Sequence, residues 1–215
     1  MNDHFRSDQD LIRSILDNNQ DDFVVLMERY QQKIFAYLYR FLYRNRDAAL
    51  DVTQDVFIKV YENLRSIDLT RPIQPWIYRI AHNEAANYLR TVSRKRESHL
   101  EEGQWEKVSG IEEKDSLEEE ETRQVILTAL DRIDTKYRQV LILYFFEEKS
   151  YKEIAEILGT STNTVGTLIS RGKKKMEKGL KHLAFIGSMV PYWMLSLCLF
   201  YAVSHQSAFS SRGMQ

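Results

Sequence analysis

One cysteine, Cys198, stands in the whole sequence, so no intramolecular disulfide and no cysteine-based zinc site can form. The five histidines are scattered, and His82 has no second ligand at helical spacing, so a hydrogen-bonded histidine is expected there and no metal site anywhere. Paired carboxylates, a nucleophile beside a base and a phosphate-binding glycine loop are all missing, which leaves no catalytic residue and no cofactor to assign; an enzyme is not expected. The N-terminus lacks the basic start and apolar run of a secretory signal, so a cytoplasmic protein is expected. With only three prolines and eight glycines in 215 residues, and no alternating strand pattern, extended structure has little support. Leu, Ile, Glu, Lys and Gln recur instead at helical spacing, predicting an all-α fold.

Excess charge of either sign is lacking too, the net being −1, but the average conceals segregation. Residues 65–96 carry seven basic side chains against Asp68 and Glu84, and residues 149–181 carry eight against Glu153, Glu156 and Glu177. Between them, residues 97–121 hold eleven acids against Lys107 and Lys114, with few large apolar residues. The organisation predicted is a polar lead over 1–20, a first basic helical domain over 21–96, an acidic linker over 97–117 and a second basic helical domain over 118–181.

Asp21 and Asp22 are placed to cap a long helix whose apolar residues run from Phe23 to Phe41 at three-four spacing. After a break at 44–47, Val52, Val56, Val60 and Leu64 form one stripe, expected to pack on the first helix. A loop over 66–75 with Pro72 and Pro75 leads to a helix beginning near Trp76. On it Trp76, Tyr78, Arg79, His82, Asn83, Asn87, Arg90, Arg94 and Arg96 mix aromatic, amide and guanidinium groups, suited to unpaired bases and a single-strand backbone. The plainer account puts the aromatics in the core and the arginines in solvent.

Further on, Val140, Leu141, Tyr144 and Phe145 give another apolar face after a cap at Asp134, and Ser150 to Glu153 reads as a capping box. Ile154, Ala155 and Leu158, then Gly159, then a restart at Ser161 or Thr162 with Val165, Leu168 and Ile169, make a helix-turn-helix pattern. Asn163, Thr164, Thr167, Ser170 and Arg171 are left on its second helix to face a major groove, with Lys173, Lys174 and Lys175 reaching phosphates. An ordinary helical hairpin with a solvated basic face is the alternative.

The stretch 22–89, above all Asp51-Val-Thr-Gln-Asp-Val-Phe and Pro75-Trp-Ile-Tyr-Arg-Ile-Ala-His-Asn, resembles region two of extracytoplasmic-function (ECF) sigma factors. The stretch 130–176, with Tyr137-Arg-Gln-Val-Leu and Ser150-Tyr-Lys-Glu-Ile-Ala-Glu-Ile-Leu-Gly, resembles their region four. The resemblance implies a sigma factor that directs core RNA polymerase to promoter DNA, with an anti-sigma factor as a further partner. It assigns Asp51, Gln54, Asp55 and Phe57 to the polymerase-binding helix. It makes the loop over 66–75, with Arg71, the acceptor of a flipped −10 base, beside Trp76, Arg79, Asn83, Asn87 and Arg90. It sends Asn163, Thr164, Thr167, Ser170, Arg171, Lys173 and Lys174 to the −35 duplex. Gly166 and Leu168 stand where many relatives carry basic residues. A helix-turn-helix regulator, or a membrane-bound polymerase adaptor without sigma activity, would share part of this pattern.

Residues 183–204 contain no charged side chain, and Lys173, Lys174, Lys175, Lys178 and Lys181 precede them. At ~1.5 Å per residue such a helix just crosses a ~30 Å hydrocarbon core, which predicts a C-terminal transmembrane helix over 182–204, a tail of 205–215 outside and the two domains held at the cytoplasmic face. The competing expectation is a hydrophobic helix folded back on the second domain or docked with an anti-sigma factor.

Overall fold

The lead that reads as polar contains a helix. In the computed structural model, which describes residues 6–98 and 117–186, α1 spans Asp8–Leu16 and buries Leu11, Ile12 and Ile15. Ser7 caps it by accepting from the Asp10 amide. Three apolar residues at i, i+1 and i+4 were the signal for this element, obscured by the charged residues around them. Arg29 and Tyr30, both from the next helix, donate to the Asp8 carboxylate, and Arg6 pairs with Asp22 at 2.8 Å, so α1 is held by charge as well as by burial.

α2 (Asp21–Phe41) buries Leu26, Tyr30, Ile34, Tyr37, Leu38 and Phe41, the face its spacing predicts. Its N-cap is Gln20, without a side-chain cap; Asp21 and Asp22 sit inside the first turn, where negative charge suits the helix dipole. The break is shorter than predicted, because Asn45 caps the Ala48 amide at 3.0 Å and draws Arg46 and Asp47 into α3 (Arg46–Asn63). Val52, Val56 and Val60 are buried as expected, and α3 packs on α2. A 3-10 turn at Leu64–Ser66 follows, and then α4 (Ile73–Ser98) begins ahead of Trp76, with Pro75 in its first turn, where a missing N–H costs nothing. Ile73, Ile77, Tyr78, Ala81 and Ala85 form the buried stripe of α4, against α2 and α3.

The later helices are α5 (Leu117–Asp131), α6 (Thr135–Phe145), α7 (Tyr151–Leu158) and α8 (Thr162–Ile186). Among the described residues there are eight α-helices and no strand, the all-α class predicted. The chain divides into two units, residues 1–110 with 142–166, and residues 111–141 with 167–215. In the first, α7 packs on α4. In the second, Leu127, Ala129, Leu130, Ile133, Tyr137, Val140 and Ile169 are buried, and Lys175 pairs with Asp134 at 3.1 Å. Gly172 there lies under Leu141; a Cβ at Gly172 would come within 3.1 Å of that side chain, so glycine permits the approach.

Residues 99–116, most of the predicted acidic linker, and 187–215, most of the predicted transmembrane helix and all of the tail, lie outside the described residues. Among those described, no helix is long and apolar enough to cross a membrane.

Candidate nucleic-acid interface

Because α4 spends one face on the core, the other is left in a regular row. Arg79, Asn83, Asn87 and Arg90 are exposed along it at i, i+4, i+8 and i+11, and Trp76 is half-buried at its start. Arg90 donates to the Asn87 carboxamide, which ties two members of the row together. In the preceding loop, the Thr70 amide and hydroxyl both donate to Asp68 at 2.9 and 2.6 Å, holding that carboxyl below its ordinary range and fixing the turn that presents exposed Arg71. Six of the six predicted −10 residues thus share the loop and one helix face.

Two other members of that basic stretch belong to the core. Tyr78 is 1 % exposed and donates to Glu147 Oε2 at 2.6 Å, and burial pushes its phenol above the ordinary tyrosine range. The His82 Nδ1 lies 3.2 Å from the Tyr37 hydroxyl, and burial lowers its pKa to about 4, so it is a neutral core histidine. For these two the plainer account, core rather than nucleic acid, is the observed one.

The helix-turn-helix pattern is realised in detail. Ser150 accepts from the Glu153 amide at 3.3 Å while Glu153 Oε2 accepts from the Ser150 amide at 2.8 Å, completing the capping box. Gly159 takes a left-handed φ of 62°, and the Thr160 amide closes onto the Ala155 carbonyl at 2.9 Å, which ends α7. Ser161 then accepts from the Thr164 amide at 3.1 Å and starts α8. Ile154, Ala155, Ile157 and Val165 are buried. Asn163, Thr164, Thr167, Ser170, Arg171 and Lys174 are exposed along α8, and Lys173 is half-buried, with its ammonium lowered from the ordinary value by burial. Gly166 sits where an added Cβ would meet the Tyr151 ring at 3.5 Å, an ordinary contact.

On α3, Asp51, Gln54 and Asp55 are exposed, whereas Phe57 is only 6 % exposed and packs inward. Sequence reasoning missed the neighbours Leu50, Ile58 and Tyr61, which are 42, 57 and 43 % exposed. Apolar residues lying off the Val52–Val56–Val60 stripe were the available signal.

Matches to known proteins agree with this arrangement. The model described as Sigma-70 region 2 matches residues 26–95, and that described as Sigma-70, region 4 matches residues 123–176. The ECF RNA polymerase sigma factor SigW of Bacillus subtilis is 31% identical over 182 residues, covering 80% of this chain and 96% of SigW. The chain belongs to the ECF family of RNA polymerase sigma factors. The ECF sigma-E factor of Escherichia coli K12 is 29% identical over 185 residues, covering 82% of this chain and 96% of its own length. For this ECF chain the fold is also that of Bartonella quintana RpoE, solved with the anti-sigma factor NepR, with a TM-score of 0.65 at 22% identity over 74% of this chain and 97% of that one. CnrH, solved with the cytosolic domain of CnrY, gives 0.59 at 23% identity, covering 81% and 97%.

Proposed function

We propose that this ECF sigma factor directs core RNA polymerase to its promoters by dividing recognition between α4 and α8. The observation that carries the reading is the pair of exposed polar rows, one of guanidinium, amide and indole groups on a core helix, the other of hydroxyl, amide and lysine groups after a helix-turn-helix corner. The first suits a melted −10 strand, because aromatic and guanidinium planes stack on unpaired bases. The second suits a −35 duplex, because a helix entering the major groove reads base edges with short polar side chains and grips phosphates with lysines. Flipping a −10 base costs a few kcal/mol, which binding of the extruded base offsets, so opening needs no nucleotide hydrolysis. Polymerase is engaged through α3, where Asp51, Gln54 and Asp55 surround exposed Leu50 and Ile58.

An anti-sigma factor is the proposed regulatory partner, supported by the complexes in which RpoE and CnrH were solved. The uncharged run 183–204 behind a cluster of lysines supports a membrane tether that keeps both DNA-binding regions at the cytoplasmic face.

In vitro transcription tests the central reading. Core polymerase with the full chain should initiate at specific promoters in genomic fragments, and removal of residues 183–215 should leave that activity in place. DNA binding without specific initiation would favour a helix-turn-helix regulator, and polymerase binding without it an adaptor. For the tether, carbonate-washed membranes should retain the full chain, whereas complete extraction would rule out a span.

A further inference from the structure

Resting on the sigma reading above, the contact between α7 and region two has a consequence for when the chain can work. Glu147, in the turn before α7, is nearly buried, its side chain 7% exposed. It accepts from Arg40 of α2 at 3.1 Å and from Tyr78 of α4 at 2.6 Å. Lys149 lies 4.8 Å from the Tyr78 ring centroid, and the Arg40 guanidinium 4.9 Å from that of Phe146, so the same turn is gripped on both sides. Glu148 between them takes a left-handed φ of 50°, a conformation that costs a non-glycine residue roughly 1–2 kcal/mol and therefore needs its surroundings to hold it. At the far edge of the contact, Glu156 of α7 meets Arg71 at 2.6 Å, and Arg71 belongs to the −10 set.

Promoter engagement is incompatible with this contact. The −10 and −35 elements lie ~25 base pairs apart, or ~85 Å at ~3.4 Å per pair. The groove-reading residues begin at Asn163, five residues beyond the end of α7 at Leu158, and at ~1.5 Å per helical residue Lys174 stands less than ~20 Å along α8. With α7 seated on α4, the two rows cannot reach both elements at once. We propose that α7 docks on the chain's own −10 face and holds the free sigma factor self-blocked, with Glu147 as the buried bolt and Glu156 occupying Arg71, and that promoter engagement on polymerase requires its release. A polar contact suits a reversible block: charges leaving it regain hydration, so a buried ion pair adds little net stability while still fixing one geometry.

The test uses the full chain with Glu147→Gln, which removes the charge and keeps the shape, and with Glu156→Ala, at a partly exposed pair whose loss does not threaten folding. Spin labels at Glu62→Cys and Lys152→Cys, both exposed positions, in a Cys198→Ser background report the closed distance. Opening should lengthen and broaden that distance in Glu147→Gln. If the closed state takes up most of the free population, apparent affinity for Bacillus subtilis core polymerase should rise about tenfold in Glu147→Gln and severalfold in Glu156→Ala, since the competent fraction scales affinity directly. Variants that keep wild-type helicity, bind core no more tightly and leave the distance unchanged overturn the block. Should Glu147→Gln fail to fold, Glu156→Ala and the wild-type distance before and after core binding still decide. Absence of core binding by every form would sink the sigma reading, while the distances in the free chain would still judge the block.

Discussion

α4 and α8 present rows of similar spacing but are anchored differently. α4 carries five buried residues from Ile73 to Ala85 and packs on three other helices, so its polar row is the back of a core element. α8 has Val165, Ile169 and Gly172 buried in its first half, and its start is set by local caps, the Gly159 turn and the Ser161 hydroxyl. A helix that grips a melted strand gains from rigidity, because each base pocket must be in place before the base arrives. A helix that reads an intact groove needs chiefly a well-defined entry angle, which a helix-turn-helix corner supplies.

The largest expected effect tests the anchoring of α4. Ile77→Ala removes a fully buried side chain and should cost about 2–5 kcal/mol in urea unfolding followed by far-UV circular dichroism. A loss no larger than that of a surface substitution would break the comparison. Next come the rows themselves: Arg171→Ala should weaken −35 duplex binding by about 1–3 kcal/mol while sparing a single-stranded −10 oligonucleotide and core polymerase binding, and Arg79→Ala should do the reverse for the two DNAs. Equal losses on both DNAs would mean that the division of labour is wrong, and loss of core binding in Arg171→Ala would mean that its role is misassigned. The smallest effect belongs to the corner, where Ser150→Ala should lower stability by about 1 kcal/mol through the lost cap, measured by the same unfolding assay.

Much of this was legible from local pattern. The capping box at Ser150 and Glu153, the turn at Gly159 and the buried Val165 and Ile169 involve residues a few positions apart, whose spacing dictates their geometry. The core stripes of α2 and α3 were equally readable, since helical periodicity separates a buried face from a solvated one. Where the reading failed, it was at ends and faces. α1 was hidden because a three-residue apolar face is too short to outweigh its charged flanks, and Phe57 turned inward because aromatic residues bordering a stripe can be drawn into the core.

By itself, then, the sequence determined an all-α chain with two DNA-suited helices and a corner of known type, because caps, glycine turns and 3.6-residue periodicity act over short range. Only the tertiary structure decided that Tyr78 and His82 are core groups rather than base contacts, and that Glu147 is their neighbour's partner. Arg40, Tyr78 and Glu147 are separated by tens of residues, and no local rule links them. Their meeting depends on how α2, α4 and the turn before α7 pack, and burial then makes an otherwise ordinary glutamate the centre of the contact.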